Sequence, residues 1–138
     1  MWRELSSEAD CLQFLEQIQF FHDSCIKAMR YTSGAYVDDR LFMHPMNDDR
    51  SLTVVFQRQG KDPTTFEILF RGLTGLKLIP VDEAYTCEIL DATLLLKGDR
   101  IWWCDCGGLS EDEIKAYDGT VICAESACWR AVDSDVET

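Results

Sequence analysis

The sequence predicts an α+β domain in which an N-terminal helix covers a curved antiparallel sheet, or two packed sheets, of about seven or eight strands in a meander. Three observations predict it. A helical apolar period occupies residues 8–18 and recurs only as a short segment near 111. Period-two alternation runs through 52–56 and 66–70. Turn signals separate the later strand-like runs, so helix comes first and strands follow, unlike the regular βαβ alternation of a parallel sheet.

Each element follows from local chemistry. Ser7 with Asp10 offers an N-cap, after which Cys11, Leu12, Leu15 and Ile18 form one apolar stripe. Residues 24–31 read as a strand that runs into Thr32-Ser33-Gly34, and 37–50, with Pro45 and Asn47-Asp48-Asp49, as a long polar loop of the kind that often carries function. Leu52, Val54 and Phe56 alternate with Thr53, Val55 and Gln57, and after the turn at 59–63 Phe66, Ile68 and Phe70 alternate with Glu67, Leu69 and Arg71, which makes a hairpin. Residues 73–79 add a short strand that ends at Pro80, since proline donates no ladder hydrogen bond. A second hairpin joins 87–96 to 100–105 through Lys97-Gly98-Asp99. Ser110 and Glu113 have capping-box spacing for a short helix over 111–117 that Gly119 ends. Residues 121–132 are β-like, with Glu125-Ser126 marking a bulge or tight turn between two short strands. The tail, 133–138, is polar and expected to fray.

At 138 residues, with no internal repeat, low-complexity run or linker, the chain is expected to be one domain, 1–138. Residues 1–5 have neither the basic nor the apolar region of a signal peptide, and no stretch is long and apolar enough to span a membrane, so a cytoplasmic protein is expected. Seven cysteines, an odd number set within strand-like runs, point to reduced thiols.

The formal charge of -12 is uneven. Residues 1–81 carry 11 acids and 9 bases, a balance of -2; residues 82–138 carry 14 acids and 4 bases, a balance of -10. Such a field repels nucleic acid and anionic membranes and steers a basic partner inward. It would equally serve solubility alone.

Candidate chemistry is sparse. Cys104-Asp105-Cys106 with Cys123 and Cys128 could supply four thiolates to zinc, but residues two apart on a strand hold parallel side chains, unlike the convergent sulfurs of a Cys-x-x-Cys turn. No metal or cofactor is expected. His22-Asp23-Ser24-Cys25 contains a base, a carboxylate and a nucleophile, yet on an extended chain His22 and Cys25 face opposite ways, which leaves no dyad. His44 is the second and last histidine; if it met His22 beside Asp23 or Asp39 an acid-base or metal site could form. Asp91 and Asp105 stand among apolar strand residues and require solvent or a partner, for which Arg100 and Arg130 are candidates. Trp102 and Trp103 must face opposite ways, so one of them can border an acidic patch of Asp91, Asp105, Glu111, Asp112, Glu113 and Asp118, unless the short helix or a second sheet covers that face. Glycine-rich nucleotide motifs, Gly-x-Ser-x-Gly and His-Glu-x-x-His are missing, which lowers the expectation of an enzyme.

Phe-Phe-His-Asp-Ser at 20–24, the strands at 52–56 and 66–70, Ile-Trp-Trp at 101–103 and Trp129-Arg130 together resemble small uncharacterised bacterial proteins, over most of the chain. Some proteins of that build are regarded as immunity proteins of polymorphic toxin systems, so the resemblance implies a role in neutralising a toxin by binding it, with no catalytic residues to carry over. The leading expectation is therefore a non-enzymatic module that binds a basic protein through Trp102, Asp105, Glu111, Asp112, Glu113 and Asp118. The alternative is a small-ligand binder or enzyme whose pocket opens where loop 37–50 meets His22 and Asp23, with His44 from the loop. A homodimer through exposed strand edges is a third arrangement, a monomer being the simplest.

Overall fold

The Ser7 hydroxyl accepts the Asp10 N–H at 3.0 Å and opens helix α1 (Glu8–Gln17), as the cap spacing predicts. One face of α1 buries Cys11, Phe14 and Leu15. A 3-10 turn follows at Gln19–Phe21, where Gln19, Phe20 and Phe21 all have φ near +60° (57°, 57° and 65°). Left-handed backbone costs an L-residue about 1–2 kcal/mol. Phe21 offsets it by burying its ring completely, with centroids of Phe14, Phe56, Phe66 and Trp103 within 5.9 Å.

The computed structural model describes residues 1–132; the tail expected to fray lies outside the described residues. Nine strands succeed one another among them: β1 (Arg3–Glu4), β2 (Ser24–Thr32), β3 (Tyr36–Val37), β4 (Met43–His44), β5 (Ser51–Arg58), β6 (Thr65–Lys77), β7 (Thr93–Lys97), β8 (Arg100–Cys104) and β9 (Val121–Val132), with helix α2 (Glu111–Lys115) between the last two. The large sheet has seven strands in the order β2-β5-β6-β9-β8-β7, all antiparallel, with β1 also on β9. This is the expected α+β architecture of an N-terminal helix against a curved antiparallel sheet. The small sheet is the β3–β4 hairpin.

Besides the pairing of β1 with β9, the order departs from a pure meander where β9 inserts between β6 and β8, so the chain from β6 crosses over to reach β7. That crossing segment touches the far edge of the sheet. Ser24 and Ile89 exchange backbone hydrogen bonds of 3.4 and 2.7 Å, joining the approach to β7 back to β2. The sheet is thereby curled around α1. Leu52, Val54 and Phe56 of β5, Phe66, Ile68 and Phe70 of β6, Trp103 of β8 and Trp129 of β9 line its concave face and enclose Phe14, Ile18 and Phe21.

Several boundaries differ from expectation. Residues 121–132 form one unbroken strand; Glu125 faces solvent and accepts from Arg50 at 3.2 Å, and the irregularity lies on β6, between Leu73 and Gly75. The strand expected at 73–79 is the continuation of β6 to Lys77, which Gly72 at φ +65° allows to bend. Of 87–96 only 93–96 is strand, within Thr93–Lys97, and the second helix stops at Lys115. The expected loop at 37–50 holds the second strand of the small hairpin and Val37 of the first.

Candidate functional site

Trp102 and Trp103 divide as neighbours on a strand must. Trp103 is fully buried in the main core, while Trp102 stands half-buried on the convex face among Leu95, Leu109, Ile114 and Tyr117. Helix α2 reaches this face because its capping box forms: Ser110 Oγ accepts the Glu113 N–H at 3.3 Å and Glu113 Oε1 accepts the Ser110 N–H at 3.0 Å. Those bonds hold the Glu113 carboxyl below its ordinary pKa. Ile114 is the buried anchor, and Lys115 Nζ lies 5.8 Å from the Trp102 ring. The covering element weighed against an open Trp102 is thus partly in place.

Of the acidic residues expected to surround it, Glu111 is half-buried and Asp112, Glu113 and Asp118 are exposed. Asp105 is half-buried, with Oδ1 enclosed and without a hydrogen bond among the described residues. Gly119 explains how a carboxylate fits there: a Cβ on it would stand 2.5 Å from the Tyr117 hydroxyl oxygen and 2.6 Å from Asp105 Oδ1. Burial first, and then the Asp105 carboxylate, push the Tyr117 phenol above its usual range. Asp91 is exposed and accepts the Gly107 N–H at 3.1 Å. The arginines expected to serve Asp91 and Asp105 are engaged elsewhere: Arg100 with Asp99, its neighbour in the turn, at 3.3 Å, and Arg130 with Glu67, its partner across the β6–β9 ladder, at 2.6 Å.

Among the described residues, ion pairs also join Glu4 to Arg71, Glu125 to Arg50, Asp23 to His22 and Asp38 to His44. Ten carboxylates fall between 82 and 118, and Asp99 alone of them is in an ion pair among the described residues. The uncompensated charge therefore sits in α2, its flanks and the crossing segment.

The residues of the alternative pocket do not meet. His22 touches Asp23 at 3.3 Å and the Leu90 carbonyl at 2.9 Å, at the Ser24↔Arg58 end of the β2–β5 ladder. His44 belongs to the hairpin beyond the Thr32↔Ser51 end, eight residue steps away, or about 26 Å at roughly 3.3 Å per residue. What stands beside Asp23 is a cleft of about 700 Å³ whose wall includes Ser24, Cys25, Arg58, Tyr85 and Cys87. Six of its eleven lining residues are exposed, so it is open along one side. Ser24 Oγ is enclosed there without a partner among the described residues. Arg58, also buried, donates instead to the Pro63 and Lys61 carbonyls at 2.7 and 2.8 Å and pins the 59–64 turn.

Cys104 and Cys123 are buried in adjacent strands, Cys128 is buried further along β9, and Cys106 is half-buried; the Cys104 thiol donates to the Cys106 carbonyl at 3.3 Å. No group of three or more metal-ligating side chains converges among the described residues. No helix among them is long and apolar enough to cross a membrane.

No family model matches this chain, nor does any curated protein or solved structure. Its reading rests on its own surface.

One part of that surface was missed by reading 37–50 as a polar loop. Among the described residues the β3–β4 hairpin pairs with no other strand, and Tyr36, Val37, Leu41, Phe42, Met43 and Met46 are all exposed on it or just after it. It is nonetheless well tied. At the neck the Ser33 carbonyl accepts the Asp49 and Arg50 N–H groups, both at 3.0 Å, and Gly34, at φ +101°, leaves room for Asp48. At the tip Asp38 Oδ1 accepts the Arg40 and Phe42 N–H groups, both at 3.0 Å, and Oδ2 meets His44 Nε2 at 3.0 Å. The His44 ring stacks on Tyr36 with centroids 4.4 Å apart. The His44 contact, followed by the backbone donors, lowers the Asp38 pKa. Six large apolar side chains within eleven residues are visible in the sequence and were the available signal.

Proposed function

We propose that this chain is a non-enzymatic protein-binding module that presents the acidic α2 surface to a basic partner, as an immunity-type protein would to a toxin. The observation that supports it is the distribution of unpaired charge: nine of the ten carboxylates between 82 and 118 have no ion-pair partner among the described residues. Such a surface costs repulsion within the folded molecule and is relieved when cations from outside approach it. Trp102, half-buried at its edge, supplies an aromatic contact of the kind enriched in binding hot spots.

A small-ligand function draws less support. Sites for small molecules enclose most of the ligand, whereas the cleft at Asp23 is open and the residues expected to converge on it, His22, Asp23 and His44, lie at two ends of the sheet.

The test begins with affinity capture from the native host's extract at low and moderate salt, followed by purification of the retained protein. Glu111→Lys with Asp112→Lys leaves the Ser110–Glu113 cap intact and is expected to slow association about tenfold at low salt and to flatten its salt dependence. Rates equal to wild type at every salt concentration overturn the assignment of the surface.

A further inference from the structure

We propose that the β3–β4 hairpin is a preformed docking finger that inserts its apolar tip into a cleft on a protein partner whose rim is basic. This goes beyond the α2 surface and rests on the preceding reading only for the sign of the partner's charge.

The first argument is order without burial. A segment that exposes Tyr36, Val37, Leu41, Phe42, Met43 and Met46 gains almost nothing from the hydrophobic effect, and such segments usually have no fixed conformation. This one is fixed by polar means: two N–H groups on the Ser33 carbonyl at the neck, two on Asp38 Oδ1 at the tip, and the Asp38–His44–Tyr36 column between them. The bonds shape the finger and leave its apolar side chains outward, with Leu41 at the extreme, 83 % exposed. A shape held in advance lowers the ordering cost of association, and a contiguous apolar patch with a polar margin marks an interaction site.

The second argument selects the occupant by charge. Asp39 beside the tip and Asp48 and Asp49 at the neck, where the rim of a cleft would meet the inserted finger, are all exposed and none is in an ion pair among the described residues; Arg50 is engaged with Glu125, and Arg40, over the Phe42 ring at 5.7 Å, is outnumbered by these carboxylates. A second copy of this chain would bring the same carboxylates and a charge of -12 against them. Anionic membranes and nucleic acid are repelled for the same reason. What complements the finger is an apolar recess bordered by lysine or arginine on another protein.

The probe is the purified protein retained from native-host extract, titrated with the full chain and two variants. Leu41→Ser with Phe42→Ser is expected to weaken binding at least about 100-fold while leaving the urea midpoint unchanged, because both side chains are exposed. Asp39→Lys with Asp48→Lys is expected to lower the association rate about tenfold at low salt. Wild-type affinity in the serine variant overturns the proposal. So does a retained protein that is acidic, retention that does not differ between wild type and the serine variant, sedimentation of wild type as a dimer that the serine variant dissolves, or binding of wild type to neutral phosphatidylcholine vesicles. Loss of binding in the serine variant but not in Glu111→Lys/Asp112→Lys supports the finger and removes the α2 surface; the reverse pattern removes the finger alone.

Discussion

Replacing Phe21 by alanine tests how the helix is locked into the sheet. Phe21 is fully buried, and its ring stands 5.0–5.9 Å from four others, on α1, β5, β6 and β8. Truncating such a ring costs about 3–5 kcal/mol. Alanine keeps a Cβ, so it relieves none of the left-handed cost at φ +65° and nothing offsets the lost packing. A chain of 138 residues has an unfolding entropy of about 0.29 kcal/mol/K at roughly 2.1 cal/mol/K per residue, which converts the loss into a fall of about 10–17 °C in Tm. Against a total stability of about 7–20 kcal/mol the variant still folds, so the loss is measurable. Urea unfolding followed by tryptophan fluorescence reads it directly, since Trp103 is one of the four neighbours. Phe20→Ala serves as the control, because Phe20 shares the left-handed backbone but is exposed, and it is expected to cost under about 1 kcal/mol. A Phe21→Ala loss no larger than that of Phe20→Ala would refute the view that this ring holds the turn in place.

The thiols give a second measurement. Burial, then Asp10 and Glu8, push the Cys11 thiol up to about 11, so its contribution to stability is complete below its ordinary value of 9.0 and is lost as pH rises from there toward about 11. The urea midpoint is expected to fall across that window and less so in Cys11→Val; a flat midpoint contradicts it. In native protein Cys87, the exposed thiol, should react first with a thiol reagent, with Cys11, Cys104, Cys123 and Cys128 protected until unfolding. Gly119→Ala is expected to cost about 1–3 kcal/mol by driving a Cβ against the Tyr117 hydroxyl and Asp105, with tyrosine absorbance reporting a displaced phenol; an unchanged midpoint would show that the two groups do not meet there.

Features encoded within a few residues were legible in the sequence. The Ser7 and Ser110 caps, the 52–56 and 66–70 hairpin and the opposite orientation of Trp102 and Trp103 depend on spacing along one segment. What was not legible depends on partners distant in sequence. Glu125-Ser126 looked like a break because the polar pair interrupts an apolar run, yet Arg50 and Arg71, more than 50 residues earlier, satisfy them: Arg50 binds Glu125 at 3.2 Å and Arg71 Nε donates to Ser126 at 3.0 Å. The insertion of β9 between β6 and β8 is likewise a pairing choice that no local pattern states. For the candidate site, the acidic surface was readable from composition. His22 and His44 were placed together only because both are histidines; the length of β2 keeps them apart.

The two surfaces differ in how much they imply about function. Glu111, Asp112 and Glu113 occupy the first turn of α2, where carboxylates stabilise the helix N-terminus whether or not a partner exists, and Glu113 completes the capping box. Folding alone accounts for part of that acidity. The finger has no such internal reason. Leu41 adopts φ +68°, a conformation that costs leucine about 1–2 kcal/mol, and then extends into solvent instead of burying itself. Phe42, Met43 and Met46 beside it enlarge exposed apolar area while packing into neither core cluster. Residues that the fold does not use, held in a shape that the fold maintains, are better explained by a partner than charges that the fold does use. If only one of the two surfaces touches that partner, the finger is the one expected to govern its dissociation rate, and the α2 carboxylates the rate at which it arrives.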